Sequence, residues 1–120
     1  VAILGLSFKP GTDDLREAPS IDNIRLLKEQ GADIYAYDPA AADNFKKQYP
    51  FNITYTDSPE TAILGANVCF IFTEWSEIKG IPPEIYKKLM RTPLVYDGRN
   101  IYSPDDMKKA GVEYYSIGRI

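Results

Sequence analysis

The chain has 120 residues, a formal charge of −3, 44% hydrophobic and 26% charged residues, a single cysteine and no histidine. These values predict one soluble domain with its own core and exclude a disordered chain, an internal disulfide and a membrane-spanning or signal segment. They also argue against a metal centre, a histidine general base and a nucleic-acid partner, and they fit a reducing cytoplasm.

Apolar runs alternate with helical patterns along the chain. Residues 1–6 read as a first strand, and residues 19–30 as a helix with proline in its first turn, an Ile21, Ile24, Leu27 stripe and Gly31 at its end. Residues 32–37 form the second strand, closed by Asp38-Pro39, and residues 40–49 a short helix. Residues 53–55 are a weak third strand. Ser58 caps a helical turn that opens with Pro59 and ends at Leu64. Residues 67–72 are the most apolar strand and are expected at the sheet centre. A helix over 82–90, a strand over 94–96, a helix over 104–110 capped by Ser103, and a strand over 112–115 complete the chain. Strands separated by helices of this length imply parallel β-α-β units with right-handed crossovers. The expected fold is a three-layer α/β/α sandwich, a Rossmann-like doubly wound and mainly parallel sheet. The chain opens on Val1 without a methionine and is expected to be a piece of a longer protein.

The loop G-L-S-F-K-P-G-T-D-D-L-R-E-A-P-S, residues 5–20, carries most of the chemistry. A strand, a glycine-containing loop and a helix N-terminus together make an anion site, because free N–H groups and the positive helix end face the same point. Lys9 and Arg16 add two fixed cations. Two to six residues would suffice to join a strand to a helix, so the length itself points to function. The loop is not a dinucleotide fingerprint: G-x-G-x-x-G is absent, with glycines at Gly5 and Gly11 only. Asp38 stands where a ribose-binding acid is expected, but the Asp-Pro pair favours a turn. Loops 8–20, 73–75 and 97–102 all follow strands and form one pocket if they share a rim.

Several motifs are similar to those of one family. The first loop, Y-A-Y-D-P at 35–39, F-T-E-W at 72–75, Y-D-G-R-N-I-Y at 96–102 and the terminal stretch 113–119 resemble, end to end and in order, the C-terminal UDP-binding domain of the UDP-glucose/GDP-mannose dehydrogenase family. Bacterial UDP-glucose 6-dehydrogenases are the members it resembles most. The resemblance implies an NAD-dependent enzyme that oxidises a sugar C6 alcohol to a carboxylate. In that family an N-terminal domain holds NAD, and a middle region supplies the dimer interface and the catalytic cysteine. The C-terminal domain closes over the nucleotide-sugar. The implied partners are a UDP-sugar and the rest of the same dehydrogenase chain, in a homodimer or larger assembly. The resemblance places Phe8, Lys9 and Arg99 at the UDP-sugar and Arg16 near the NAD. It assigns no catalytic and no metal-binding residue to this chain, which alone is expected to be inactive.

Each of these residues also has a plainer reading. Lys9 serves a phosphate as a point charge or is a solvated loop lysine. Arg16 reaches a ligand or pairs with Asp13, Asp14 or Glu17. Arg99 presents a guanidinium fork suited to a phosphate or a uracil carbonyl, or simply ends a turn. Asp13 and Asp14 order the loop through backbone N–H groups or act as a paired acid and base. Phe8 plugs the core, meets the substrate, or does both; Trp75 covers the core edge or packs a neighbouring domain. Cys69 lies in an apolar strand with nothing to lower its pKa and reads as a core residue. Related N-acetylhexosamine or GDP-mannose dehydrogenases are alternatives within the family. A free-standing receiver-like module, with Asp57 as acceptor, is the alternative outside it; the lysine such a module needs after its fifth strand is absent.

Overall fold

Four helices begin at a proline, whose missing N–H is harmless in the first turn and whose fixed φ suits helix entry. Ser58 and Ser103 cap two of them, accepting from the N–H groups of Thr61 at 3.1 Å and Asp106 at 3.4 Å. The computed structural model describes residues 1–16 and 18–116. Its elements are β1 (Ala2–Leu4), α1 (Pro19–Glu29), β2 (Tyr35–Tyr37), α2 (Ala42–Gln48), β3 (Thr54–Tyr55), α3 (Pro59–Ile63), β4 (Cys69–Ile71), α4 (Ser76–Lys79), α5 (Pro83–Leu89), β5 (Leu94–Asp97), α6 (Pro104–Lys109) and β6 (Glu113–Ser116). Each element expected from the sequence is present; β1 to β4 are shorter than expected, β5 runs one residue further and β6 is shifted by one residue. The single turn α4 is additional.

The six strands lie in the order β3-β2-β1-β4-β5-β6, and every pairing is parallel. Ala2 registers with Tyr35 on one side and with Cys69 on the other. The chain therefore winds outward from β1 to one edge, returns to β4, and winds to the other edge. The boundary between β1 and β4 is the topological switch point, where open α/β sheets bind ligands beyond their carboxyl ends. This is the doubly wound sheet expected from the sequence, with β4 beside β1 at its centre.

Side-chain alternation along the strands splits the core in two. On one face Ala2, Leu4, Cys69, Ile71 and Val95 pack with Ala62 and Ile63 of α3, Ile78 of α4, Tyr86 of α5 and Met107 of α6. On the other face Ile3 and Ala36 pack with Ile24 of α1 and Phe45 of α2. Both Ile24 and Phe45 are fully buried, and burying side chains of this size contributes about 1.5–3 kcal/mol each. On this second face Phe70 of β4 packs against the Ile24 cluster, while Tyr96 of β5 and Tyr115 of β6 stay exposed. There Phe72, Phe70, Tyr96 and Tyr115 form a row of stacked rings with centroids 6.0, 5.4 and 5.2 Å apart. The row floors a cleft of about 340 Å³ that reaches Gly98 and Arg99.

Cys69 is fully buried, and burial together with the nearby Asp97 pushes its thiol far above the ordinary range. A thiol kept protonated inside a strand is not a nucleophile. In native buffer a thiol reagent is expected to leave Cys69 unlabelled until denaturant is added. Fast labelling of the native chain would contradict this placement.

Candidate functional site

The first loop leaves β1 through Gly5, whose φ of +92° suits glycine. Thr73, just after β4, presses against this glycine closely enough to leave no room for a Cβ. The next residues are tied to both neighbouring strands. Gly5 N–H donates to the Tyr37 carbonyl at 2.8 Å, and Phe72 N–H to the Leu4 carbonyl at 2.9 Å. The Thr73 hydroxyl donates to the Ser7 carbonyl, and the Ser20 hydroxyl at the start of α1 donates to the Leu6 carbonyl at 2.6 Å.

Asp38, at the end of β2, is the hub of this stem. One carboxylate oxygen accepts from the N–H groups of Leu6 (2.8 Å) and Ser7 (3.2 Å), the Ser7 hydroxyl (3.4 Å) and the Trp75 indole (3.2 Å). The other accepts from the N–H groups of Ala40 (2.9 Å) and Ala41 (2.7 Å). Only 5% exposed, Asp38 is a buried charge satisfied entirely by the protein. Both oxygens are committed, so this Asp has no lone pair set aside for a ribose diol.

Asp97 does the same work at the end of β5. It is 1% exposed and accepts from Arg99 N–H (2.8 Å), Ile101 N–H (2.7 Å) and the Tyr114 hydroxyl (2.6 Å). This fixes the turn 98–100, in which Asn100 takes the left-handed conformation at φ 56°. The Arg99 side chain then leaves the turn from a defined root.

Arg99 joins the three loops. Its Nε and Nη2 donate to the Glu74 carboxylate at 2.8 and 3.1 Å, and Nη2 also donates to the Phe8 carbonyl at 3.0 Å. Its guanidinium carbon stands 5.4 Å from the centre of the Phe8 ring, within cation–π range. Phe8 itself is 43% exposed and does not plug the core. Loops 8–20, 73–75 and 97–102 thus share one rim, at the carboxyl end of the sheet beside the switch point. Glu74, which the sequence presents only as part of F-T-E-W, is the residue that couples two of them. Lys9 is exposed beside this cluster and, among the described residues, makes no ion pair.

Arg16 lies further along the same loop, before α1. Its side chain is 88% exposed and clasps Asp14 through Nε (3.1 and 3.0 Å) and Nη2 (2.7 Å). The Asp14 carboxylate also accepts the Arg16 N–H at 2.9 Å. The Arg16 side chain, and then its backbone N–H, hold the Asp14 carboxyl down at about 2. A carboxyl pKa depressed on folding stabilises above the usual carboxylate range, so this clasp is lost only as pH falls through about 2. Asp14 therefore orders the loop, while Asp13 contributes its carbonyl, which accepts from Asn44 of α2 at 2.8 Å. Buried Leu15 anchors the loop in the core. Ala18 gives α1 no side-chain cap, and Ile21 N–H donates to the Ala18 carbonyl at 3.4 Å. Glu17, and residues 117–119 of the terminal motif, lie outside the described residues.

Comparison with known proteins gives the family. Residues 2–104 match the model of the UDP-glucose/GDP-mannose dehydrogenase family, UDP binding domain. The chain belongs to that family. Within this dehydrogenase family, it is 49% identical over 119 residues to UDP-glucose 6-dehydrogenase YwqF of Bacillus subtilis, covering 99% of the chain and 27% of that protein. Among solved structures, it superposes on an NDP-N-acetyl-D-galactosaminuronic acid dehydrogenase from Methanosarcina mazei with a TM-score of 0.82 at 27% identity, covering 98% of this chain and 24% of that one. A UDP-glucose dehydrogenase from Pyrobaculum islandicum gives 0.75 at 32% identity over 95% and 24% of the two chains. The chain thus spans about a quarter of the length of its dehydrogenase relatives.

Proposed function

We propose that this domain binds the UDP-sugar of an NAD-dependent UDP-glucose 6-dehydrogenase, which converts UDP-glucose and two NAD to UDP-glucuronate. The observation that carries the reading is the Arg99 cluster. A guanidinium and an exposed aromatic ring meet at the carboxyl end of the sheet beside its switch point, with the exposed Lys9 next in the chain to Phe8. Phe8, Lys9 and Arg99 would contact the UDP-sugar, with Lys9 as a point charge for the diphosphate and Arg99 as a planar donor. The 49% identity to a UDP-glucose enzyme favours glucose as the sugar.

The residues present do not fit a dinucleotide bound in this domain's own sheet. G-x-G-x-x-G is absent, and the Asp38 oxygens are occupied by protein donors. In the proposed enzyme a separate domain of the same chain holds the NAD, and Arg16 faces it from the loop. Regions outside this chain would supply the catalytic thiol, because the thiol of Cys69 is sealed in the core, and the dimer contacts as well.

Half a cleft with two cations and a few N–H groups is expected to hold UDP with about millimolar affinity, roughly 4 kcal/mol. A ¹⁵N NMR titration of the chain with UDP checks this. Amide shifts are expected at residues 8–16 and 97–102. Shifts clustered elsewhere, for example at the acidic hollow beside Asp43 and Asp57, would count against the assignment.

A further inference from the structure

We propose that Glu74 is a positioning residue for the UDP site: it holds the Arg99 guanidinium, and through it the Phe8 backbone, in the pose that meets the nucleotide. The inference rests on the UDP-sugar reading above and deepens it.

A guanidinium carries five N–H donors. The Nε–H goes to one Glu74 oxygen at 2.8 Å, and Nη2 serves the other Glu74 oxygen at 3.1 Å and the Phe8 carbonyl at 3.0 Å. Those contacts occupy the Nε–H and both hydrogens of Nη2. The two on Nη1 make no bond among the described residues and remain for an incoming anion or carbonyl. Glu74 therefore takes the Nε/Nη2 edge, the Phe8 carbonyl takes the second Nη2 hydrogen, and the Nη1 hydrogens are what is left for the ligand. A carboxylate that merely held the place of a phosphate would be set on the edge offered to the ligand, in open solvent. Glu74 and Arg99 are instead partly buried, at 31% and 23% side-chain exposure.

Glu74 can fix Arg99 because its own neighbours are fixed. Before it, Thr73 is tied to the Ser7 carbonyl; after it, the Trp75 indole donates to buried Asp38 at 3.2 Å. On the other side the Arg99 N–H is held by buried Asp97 at 2.8 Å. Both ends of the ion pair thus start from rigid turns on separate strands. An arginine ordered before the ligand arrives loses less rotamer entropy on binding, and its contact geometry is set in advance.

The test uses the ¹⁵N-labelled chain, with Arg99→Ala identifying the Arg99 Nε–Hε cross-peak by its disappearance. In the wild type that peak is expected to persist, displaced from the free-arginine position by the carboxylate. In Glu74→Gln it is expected to return towards that position. The initial slope of the 8–16 amide shifts against UDP, proportional to 1/Kd where binding is weak, is expected to fall about threefold or more as preorganisation is lost. The thermal midpoint serves as the folding control. Glu74→Asp, which keeps the charge but withdraws it by one methylene, provides a second variant and is expected to shift the peak and lower the slope in the same direction. An unchanged peak and slope in both variants would overturn the inference, and so would tighter UDP binding, the signature of a place-holding carboxylate. A slope lost in Arg99→Ala but kept in the Glu74 variants sinks the positioning role alone. A slope kept in Arg99→Ala, or absent from the wild type, sinks the UDP reading at this residue.

Discussion

Gly5→Ala is expected to cost this domain a large part of its stability and the shape of its site with it. Two penalties add at this position. The backbone sits at φ +92°, where an L side chain is strained by about 1–2 kcal/mol. The new Cβ would also fall 2.5 Å from the Thr73 hydroxyl oxygen and 2.6 Å from the Thr73 backbone nitrogen, besides striking its Cβ. Overpacking against a core costs about 1–3 kcal/mol even where side chains give way, and here the obstacle includes backbone between β4 and Glu74. A combined loss of about 2–5 kcal/mol stands against a total of about 5–15 kcal/mol for a domain. The thermal midpoint is expected to fall by roughly 10 °C or more, or the chain to be recovered unfolded. Gly11→Ala is the control: its φ is +83°, but nothing lies within 4 Å of the added Cβ. It carries the backbone penalty alone and is expected to lose about 1 kcal/mol. A Gly5→Ala chain that melts within a few degrees of wild type would show that β1 and β4 are not pressed together as described.

Gly5 also shows what was legible in the sequence. Punctuation by Pro, Gly and capping Ser marked the helices, since each acts through its own backbone. The most apolar stretch marked β4, and alternation of strand and helix marked the doubly wound sheet. What acts between distant segments was less legible. The α4 turn is four residues long, too short for a periodicity to register. Asp38 read as a turn residue ahead of a ribose ligand. Its role is decided by the Trp75 indole and the Leu6 and Ser7 amides, which lie more than thirty positions away. The resemblance supplied Phe8, Lys9 and Arg99 by motif, but nothing in the motif joins residue 8 to residue 99. The sheet order does so by placing β1 beside β4 and β4 beside β5. Glu74 emerges only from that adjacency.

The division of labour between Arg99 and Arg16 gives the other large effect, measured in a full-length dehydrogenase carrying this domain. Arg99→Ala is expected to raise the KM for UDP-glucose with less effect on NAD. It removes a donor and also frees Phe8, whose carbonyl and ring both rest on the guanidinium. Arg16→Ala is expected to weaken use of NAD instead, because Arg16 sits at the far end of the loop, where its exposed fork clasps Asp14. A charge-assisted hydrogen bond is worth about 1.5–3 kcal/mol, so each change should cost roughly ten- to a hundredfold in the affected term. Stability separates the two as well. The exposed Arg16–Asp14 pair adds little by itself, so Arg16→Ala should melt like wild type, whereas Arg99→Ala leaves the partly buried Glu74 without its partner and should melt lower. Lysine at either position should rescue only in part, because a point charge cannot reproduce the planar fork that spans Glu74 and Phe8 together. If both alanine variants change the KM of the same substrate alone, the loop does not divide between two ligands, and Arg16 belongs to the same site as Arg99.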